Sequence, residues 1–265
     1  VSGDLNKLYF LSPYLSELDS INGDIDINLE LNGPVNNLIR NGSISVKNGI
    51  AYTLFLNDPI TDINLVAEMK NNQLTIDNLV GNIYRGNEKK LDFNKSNIEI
   101  DGGIDFSKFF EPFYDLKVKS DEVSFKTLYL DIDGESKLDL SIFGRDTINI
   151  AGKIEANDVR VFYEFSNEEL GTAISDDKSS ILSYKLVIPI RGESYFQNSQ
   201  VDAKILGELS LNQLGNQEID FGGQIFIEDG SIFSYKDNFN NLQGIVNFDN
   251  KGFNPFIDAS ASTMI

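Results

Sequence analysis

Whatever chemistry this chain performs must run on oxygen ligands and carboxylates. It carries 41 Asp and Glu against 22 Lys and Arg, and it has no His, Cys or Trp. Without imidazole or thiol there is no Ser-His-Asp or Cys-His relay, no His- or Cys-ligated zinc, no disulfide frame and no iron–sulfur cluster. Paired acids remain, which suit glycoside hydrolysis or calcium. Asp131, Asp133 and Glu135 flank Gly134, and Asp24 sits two from Asp26. These spacings faintly match calcium loops, but neither the full EF-hand loop nor a GGxGxD repeat is present. No GxGxxG, GxxxxGK[ST] or GxSxG motif occurs. Almost every carboxylate instead alternates with an apolar residue, as on a solvated strand face. The expectation is a non-enzyme with no metal and no cofactor. The aromatic group Phe106, Phe109, Phe110, Phe113 and Tyr114 reads either as a lip facing a lipid or partner, or as a local core closing a sheet edge.

The elements that position these residues are strands. Ile21, Gly23, Ile25, Ile27, Leu29 and Leu31 fall on one parity, with Asn22, Asp24, Asp26, Asn28 and Glu30 on the other. The same alternation recurs at Leu138–Ile142, Val159–Phe165 and Leu182–Ile190. This period of two marks strands with one dry and one wet face. Helical candidates are confined to residues 4–18 and 107–113, the latter interrupted by Pro112. Hairpin dipeptides occur at Asn32-Gly33, Asn48-Gly49 and Asp229-Gly230. Further breaks fall at Asn57-Asp58-Pro59, Asn71-Asn72, Gly86-Asn87-Glu88 and Asp237-Asn238. At roughly 15 residues per strand and turn, about 17 strands are expected.

A repeat runs through the pattern. Gly102, Gly152, Gly207 and Gly223 each sit mid-strand on the apolar parity, flanked by apolar residues two positions away. Weaker copies centre on Gly23, Gly42, Gly134, Gly192 and Gly244. A missing side chain on the inner face lets a sheet bend inward, so the four clean copies are read as curvature glycines. The expected fold is all-β: an elongated, curved, half-open groove with an apolar concave face. Its lining is expected from Ile25, Ile27, Ile100, Ile104, Ile150, Ile154, Ile205, Leu209, Phe221, Ile225 and Ile227, while Asp101, Asp105, Glu155, Glu208 and Asp220 point outward. Residues 166–180 form a polar loop between strand stretches 1–165 and 181–265, which share one texture and are read as one repeat architecture.

Charge narrows the partners. A net charge of 22 − 41 = −19 opposes nucleic acid and flat docking on an anionic lipid surface. The longest stretch free of Asp, Glu, Lys and Arg is eleven residues, Asn238–Phe248, well short of the ~20 that a spanning helix needs. The chain opens at Val1 without a leader pattern and stops at Ile265 within an alternating run, so a segment of a longer protein is expected.

The C-terminal third carries a resemblance. A Gly207, Leu209, Leu211 strand is followed by Gly223-Gln-Ile-Phe-Ile, a Glu228-Asp-Gly230 turn and a Phe233, Tyr235 strand. Phe239, Gly244, Val246 and Phe248 follow, then Asn254-Pro255 and a closing Ile257, Ala259, Ala261 strand. In this order they resemble the C-terminal domain of the TamB (translocation and assembly module) proteins, within the AsmA-like repeating β-groove superfamily. Asn41-Gly-Ser-Ile-Ser-Val-Lys-Asn-Gly49 is similar to the looser family repeat, although Pro34 directly follows Gly33 here. The resemblance implies a periplasmic location in a diderm bacterium, with anchoring to the inner membrane by a segment outside this chain. It also implies phospholipid acyl chains as cargo and an Omp85-class (TamA-like) outer-membrane barrel as partner.

Three alternatives stand beside a lipid conduit. One is a chaperone or scaffold for outer-membrane protein assembly and secretion. Another is a secreted β-solenoid adhesin, for which surface Trp would be expected. The third is an outer-membrane β-barrel, whose aromatic residues would gather at strand ends and which would require detergent for purification.

Overall fold

The computed structural model describes residues 2–4, 18–34, 37–53, 56–85, 96–127, 131–164, 181–215, 217–234, 237–252 and 255–263. Of these residues 80% are strand, and none is helical. The strands are β1 (Ser2–Asp4), β2 (Leu18–Asn32), β3 (Ile39–Thr53), β4 (Ile60–Lys70), β5 (Gln73–Asn82), β6 (Ile98–Asp105), β7 (Phe113–Lys126) and β8 (Ile132–Gly144). They continue as β9 (Thr147–Phe162), β10 (Ile181–Arg191), β11 (Tyr195–Gln197), β12 (Val201–Gln213), β13 (Asp220–Ser234), β14 (Asp237–Asp249) and β15 (Phe256–Ser262).

All 15 belong to one sheet in sequence order, with β11 off the main path and paired to both β9 and β12. Neighbours are antiparallel except where β9 meets β10 and β11. Substantial contacts join hydrogen-bonded neighbours, apart from a small one between β13 and β15. β1 and β15 lie at opposite ends of the strand order, so the sheet does not close into a barrel.

The described residues contain 15 strands, against about 17 expected for the whole chain, and many are longer than assumed: β9 alone has 16 residues. Two predicted hairpin dipeptides lie inside strands. Asn48-Gly49 sits within β3, where the register shifts between Val46 and Gly49, and Asp229-Gly230 sits within β13 beside the shift at Lys204/Ile205. Asn48 has φ 53°, and a left-handed residue serves a bulge as well as a turn. Gly33 follows directly on Asn32, the last residue of β2, and the segment Asn57–Pro59 and Asn71-Asn72 fall between strands. The helical candidate at 107–113 is a turn leading into β7, while residues 5–17 of the other candidate and the break at 86–88 lie outside the described residues, as does the loop 166–180.

Register fixes the two faces. Residues directly opposite one another share a face, and rows can be followed from strand to strand. One runs Ile76–Gly102–Leu116–Ile142–Ile150; another runs Ile188–Leu209–Gly223–Phe248. Outward rows alternate charge: Glu99–Lys119–Asp139–Lys153 crosses four strands with opposite signs opposed at every step, the favourable cross-strand arrangement.

A flat single layer would leave both faces wet. Here the apolar face contains Ala67 at 0% exposure and Ala203 at 2%, with no helix or second sheet above it among the described residues. The sheet therefore curls on that face, and its own side chains cover one another. Two tight clusters result. Ala67, Met69, Leu74 and Ile76 pack with Ile44, Ile104 and Phe106. Ile190, Ala203, Ile205 and Leu242 pack with Phe196, Ile225 and Ile227.

Candidate functional site

The site is the concave face itself. Registers place every sequence-derived lining residue on this one face. In the first half, Ile25 opposes Val46 and Ile27 opposes Ile44; Ile44 then opposes Ala67, Ala67 opposes Ile76, and Ile76 opposes Gly102. Ile100 and Ile104 share that parity on β6, and Ile150 and Ile154 continue it on β9. Beyond the parallel junction, Ile205 opposes Ile227, Leu211 opposes Phe221, and Leu209 and Ile225 each oppose a glycine. Ile205 is buried, and the other ten are partly exposed, as befits side chains lining an open trough. Asp101, Asp105, Glu155, Glu208 and Asp220 occupy the opposite parity.

The four glycines fall in rows of large–none–large. Gly102 lies between Ile76 and Leu116, Gly152 between Leu140 and Leu186, Gly207 between Ile190 and Ile225, and Gly223 between Leu209 and Phe248. Gly207 has φ +145°, and a Cβ there would sit 2.2 Å from the Gln224 carbonyl oxygen. Gly102 repeats the geometry, at φ +122° and 2.1 Å from the Asp115 carbonyl. Gly23, Gly42 and Gly134 also have positive φ within strands, whereas Gly192 is a turn residue and Gly244 has ordinary backbone.

The groove has two rims. The first carries the β2–β3, β4–β5, β6–β7, β8–β9, β12–β13 and β14–β15 turns and is studded with exposed apolar side chains. Leu31, Phe110, Leu214 and Phe256 are 54%, 76%, 70% and 70% exposed. The opposite rim carries Asp58, Asp131, Glu164, Glu193, Asp202 and Asp237, interspersed with Arg85, Lys126, Arg160 and Arg191.

The aromatic group at 106–114 divides between these environments. Phe106 packs into the groove cluster. Phe109 and Phe110 stand at the rim, their rings edge to face at 5.3 Å. Phe113 faces outward against Phe143. Tyr114 faces inward opposite Ile104, where burial raises its hydroxyl pKa.

The titratable groups act as structural staples. The Ser107 backbone N–H donates to Asp105 at 2.7 Å and, with the Ser107 hydroxyl and nearby Arg145, holds this carboxyl below its ordinary range against a smaller opposing effect of burial. Lys204 Nζ lies 2.8 Å from Glu193 and 3.5 Å from Glu228, lowering the Glu193 pKa and raising its own. Lys153 Nζ, 2.7 Å from Glu155, likewise lowers the Glu155 pKa. Of the acids with calcium-like spacing, Asp131 pairs with Lys126 and Asp133 with Arg85. Among the described residues, no group of three or more Asp or Glu is placed to hold a metal ion.

Parity counting overlooked the tightest part of the groove. Leu65, Ala67, Met69, Leu74 and Ile76 line it, yet register shifts within β4–β5 and β5–β6 break their alternation with flanking segments. The available signal was Asn71-Asn72, whose φ values of 51° and 69° define a two-residue hairpin and so pair Met69 with Leu74.

A family model described as the TamB C-terminal domain matches residues 88–265. The match covers β6 to β15 and takes in every clean copy of the glycine repeat. No curated protein matches the chain.

Proposed function

This chain belongs to the TamB C-terminal domain family, whose role lies in outer-membrane protein assembly or lipid transport, and from that premise we propose that it is a non-enzymatic conduit for phospholipid acyl chains. The continuous apolar row pattern on one face of an open sheet carries this reading. Each buried CH₂ is worth about 0.8 kcal/mol, so two lipid tails bared to water would cost on the order of 20 kcal/mol. A carrier therefore has to offer an unbroken dry track. The main path has 14 strands, giving about 60 Å of track at ~4.8 Å per strand. Ile, Leu, Val and Phe line it without a fixed pattern of polar anchors, which lets a tail slide along it. The setting is the periplasm, between an inner-membrane anchor outside this chain and an Omp85-class barrel at the outer membrane.

Introducing charge into the lining tests the reading. Ile225→Asp and Leu209→Arg place an ion against the acyl chains, which is costly unless the ion stays hydrated. The open mouth keeps water within reach when no lipid is present, so the fold should survive. Glu208→Arg, on the exposed outward face, is the matched control. Phospholipid copurifying with wild type and with Glu208→Arg, but lost from a folded Ile225→Asp, is the expected result. Equal lipid in a folded Ile225→Asp refutes the conduit. Photo-crosslinks from positions 209 and 225 that reach only protein would favour a chaperone for outer-membrane clients.

A further inference from the structure

We propose that Arg40 forms a phosphate subsite at the mouth of the groove, holding a glycerophospholipid headgroup while the tails lie along the adjoining Leu29, Ile27, Ile25 and Ile44, which remain accessible on the same face. This rests on the conduit reading and adds an orientation to it. Arg40 stands opposite Leu31, on the parity of Gly42 and Ile44, so the register puts a guanidinium on the apolar face at the first rim. Three neighbours fix it. Its charge centre lies 4.7 Å over the Phe109 ring. Its Nη1 donates to the Asn72 side-chain oxygen at 3.1 Å and to the Leu38 carbonyl at 3.3 Å. Asn72 is itself pinned, since its side-chain oxygen also accepts from the Arg40 backbone N–H at 2.9 Å.

None of these partners is anionic, and Arg40 has no carboxylate partner among the described residues. Arg145 and Lys108 on the same rim differ: Arg145 pairs with Asp105 at 3.6 Å and Lys108 with Glu111 at 3.2 Å. A half-buried, pre-oriented guanidinium with donors to spare suits a phosphate oxygen fork. In a chain of net charge −19, such a local positive point is where an anionic headgroup is least repelled.

Distance agrees with the assignment. Along β3 from Arg40 to Val46 is six residues, or about 20 Å at ~3.3 Å per residue. One leaflet of bilayer hydrocarbon is about 15 Å thick. A headgroup on Arg40 thus leaves its tails along the inward face of β2 and β3, beside the closed cluster around Ala67.

The test compares two probes with the same tails, dioleoylphosphatidylglycerol and dioleoylglycerol, each presented in maltoside micelles and recovered with the protein. Wild type should retain the phospholipid at least about tenfold better, the lower end for one charge-assisted hydrogen bond. Arg40→Gln should bring the two to parity without reducing dioleoylglycerol, and Arg40→Lys should retain part of the preference. Circular dichroism checks that each variant is folded. Equal retention of both probes by wild type overturns the subsite and leaves the conduit standing, as does an undiminished preference in Arg40→Gln. Retention of neither probe overturns both proposals. Complete competition by millimolar inorganic phosphate would make this a free-anion site and would overturn the lipid assignment.

Discussion

Replacing Gly207 by Ala probes whether the mid-strand glycines are obligatory. Two costs arise from the geometry. At φ +145° an L-residue occupies backbone space that is nearly restricted to glycine, a strain of about 1–3 kcal/mol. The new Cβ would also lie 2.2 Å from the Gln224 carbonyl oxygen and 2.9 Å from the Ile225 Cα. Both atoms are backbone of the paired strand, so β13 must move away, at a further cost of about 1–3 kcal/mol by analogy with overpacked cores. The sum is about 2–6 kcal/mol, set against a domain stability of about 5–15 kcal/mol. Urea unfolding followed by circular dichroism and tyrosine fluorescence measures it, with Gly3→Ala as the reference because nothing lies within 4 Å of a Cβ there. Gly102→Ala should behave like Gly207→Ala. If Gly207→Ala falls within about 0.5 kcal/mol of the Gly3→Ala reference, a scatter ordinary for surface substitutions, the glycines are not required by backbone geometry.

Met69→Ala should destabilise by about 2–4 kcal/mol, since the side chain is buried in the tightest cluster, whereas exposed Val66→Ala should change urea stability little. Asp105 has a folded-state pKa below its ordinary 3.8, so its contribution is fully present above about pH 4 and is lost as pH falls through the folded value. Melting temperatures measured from pH 6 down to 2.5 should therefore fall more steeply for wild type than for Asp105→Asn; parallel curves would contradict this. In carboxyl NMR titrations, Glu193 should titrate below its ordinary range, and Lys204→Met should return it upward. The protein should also remain soluble without detergent, and a detergent requirement would favour a lipid-embedded surface.

How much was legible depended on local regularity. From Ile98 to Asp105 and from Asp220 to Ile227 the strands run without interruption, so counting by twos gave the face of each residue. Wherever a bulge intervened, parity reversed invisibly. Between Ala156 and Val159 both residues face inward although three positions apart, because the register shifts opposite Asp133/Glu135 and Asp158 takes φ 50°. The parallel pairing of β9 with β10 had no local signature either, since alternation is blind to strand direction. Arg40 escaped notice because its surroundings come from afar: Asn72 lies 32 residues away in sequence and Phe109 farther still. Repetition, by contrast, was robust. Each glycine row repeats one backbone solution, so a copy could be recognised without knowledge of its neighbours.

The sheet's neighbour-to-neighbour construction has a mechanical side. Ladder hydrogen bonds run perpendicular to the strands, which is along the length of the trough. The covalent backbone zigzags across the width and gives little tensile strength lengthwise. Tension between the two ends would therefore bear on rows of hydrogen bonds, and a pull applied through a terminus would peel an edge strand a few bonds at a time. Because each strand depends chiefly on its immediate neighbours, such a tear would stay local and could reseal. Built this way, the sheet behaves as a compliant gutter that gives and recovers row by row, and it bears little load of its own.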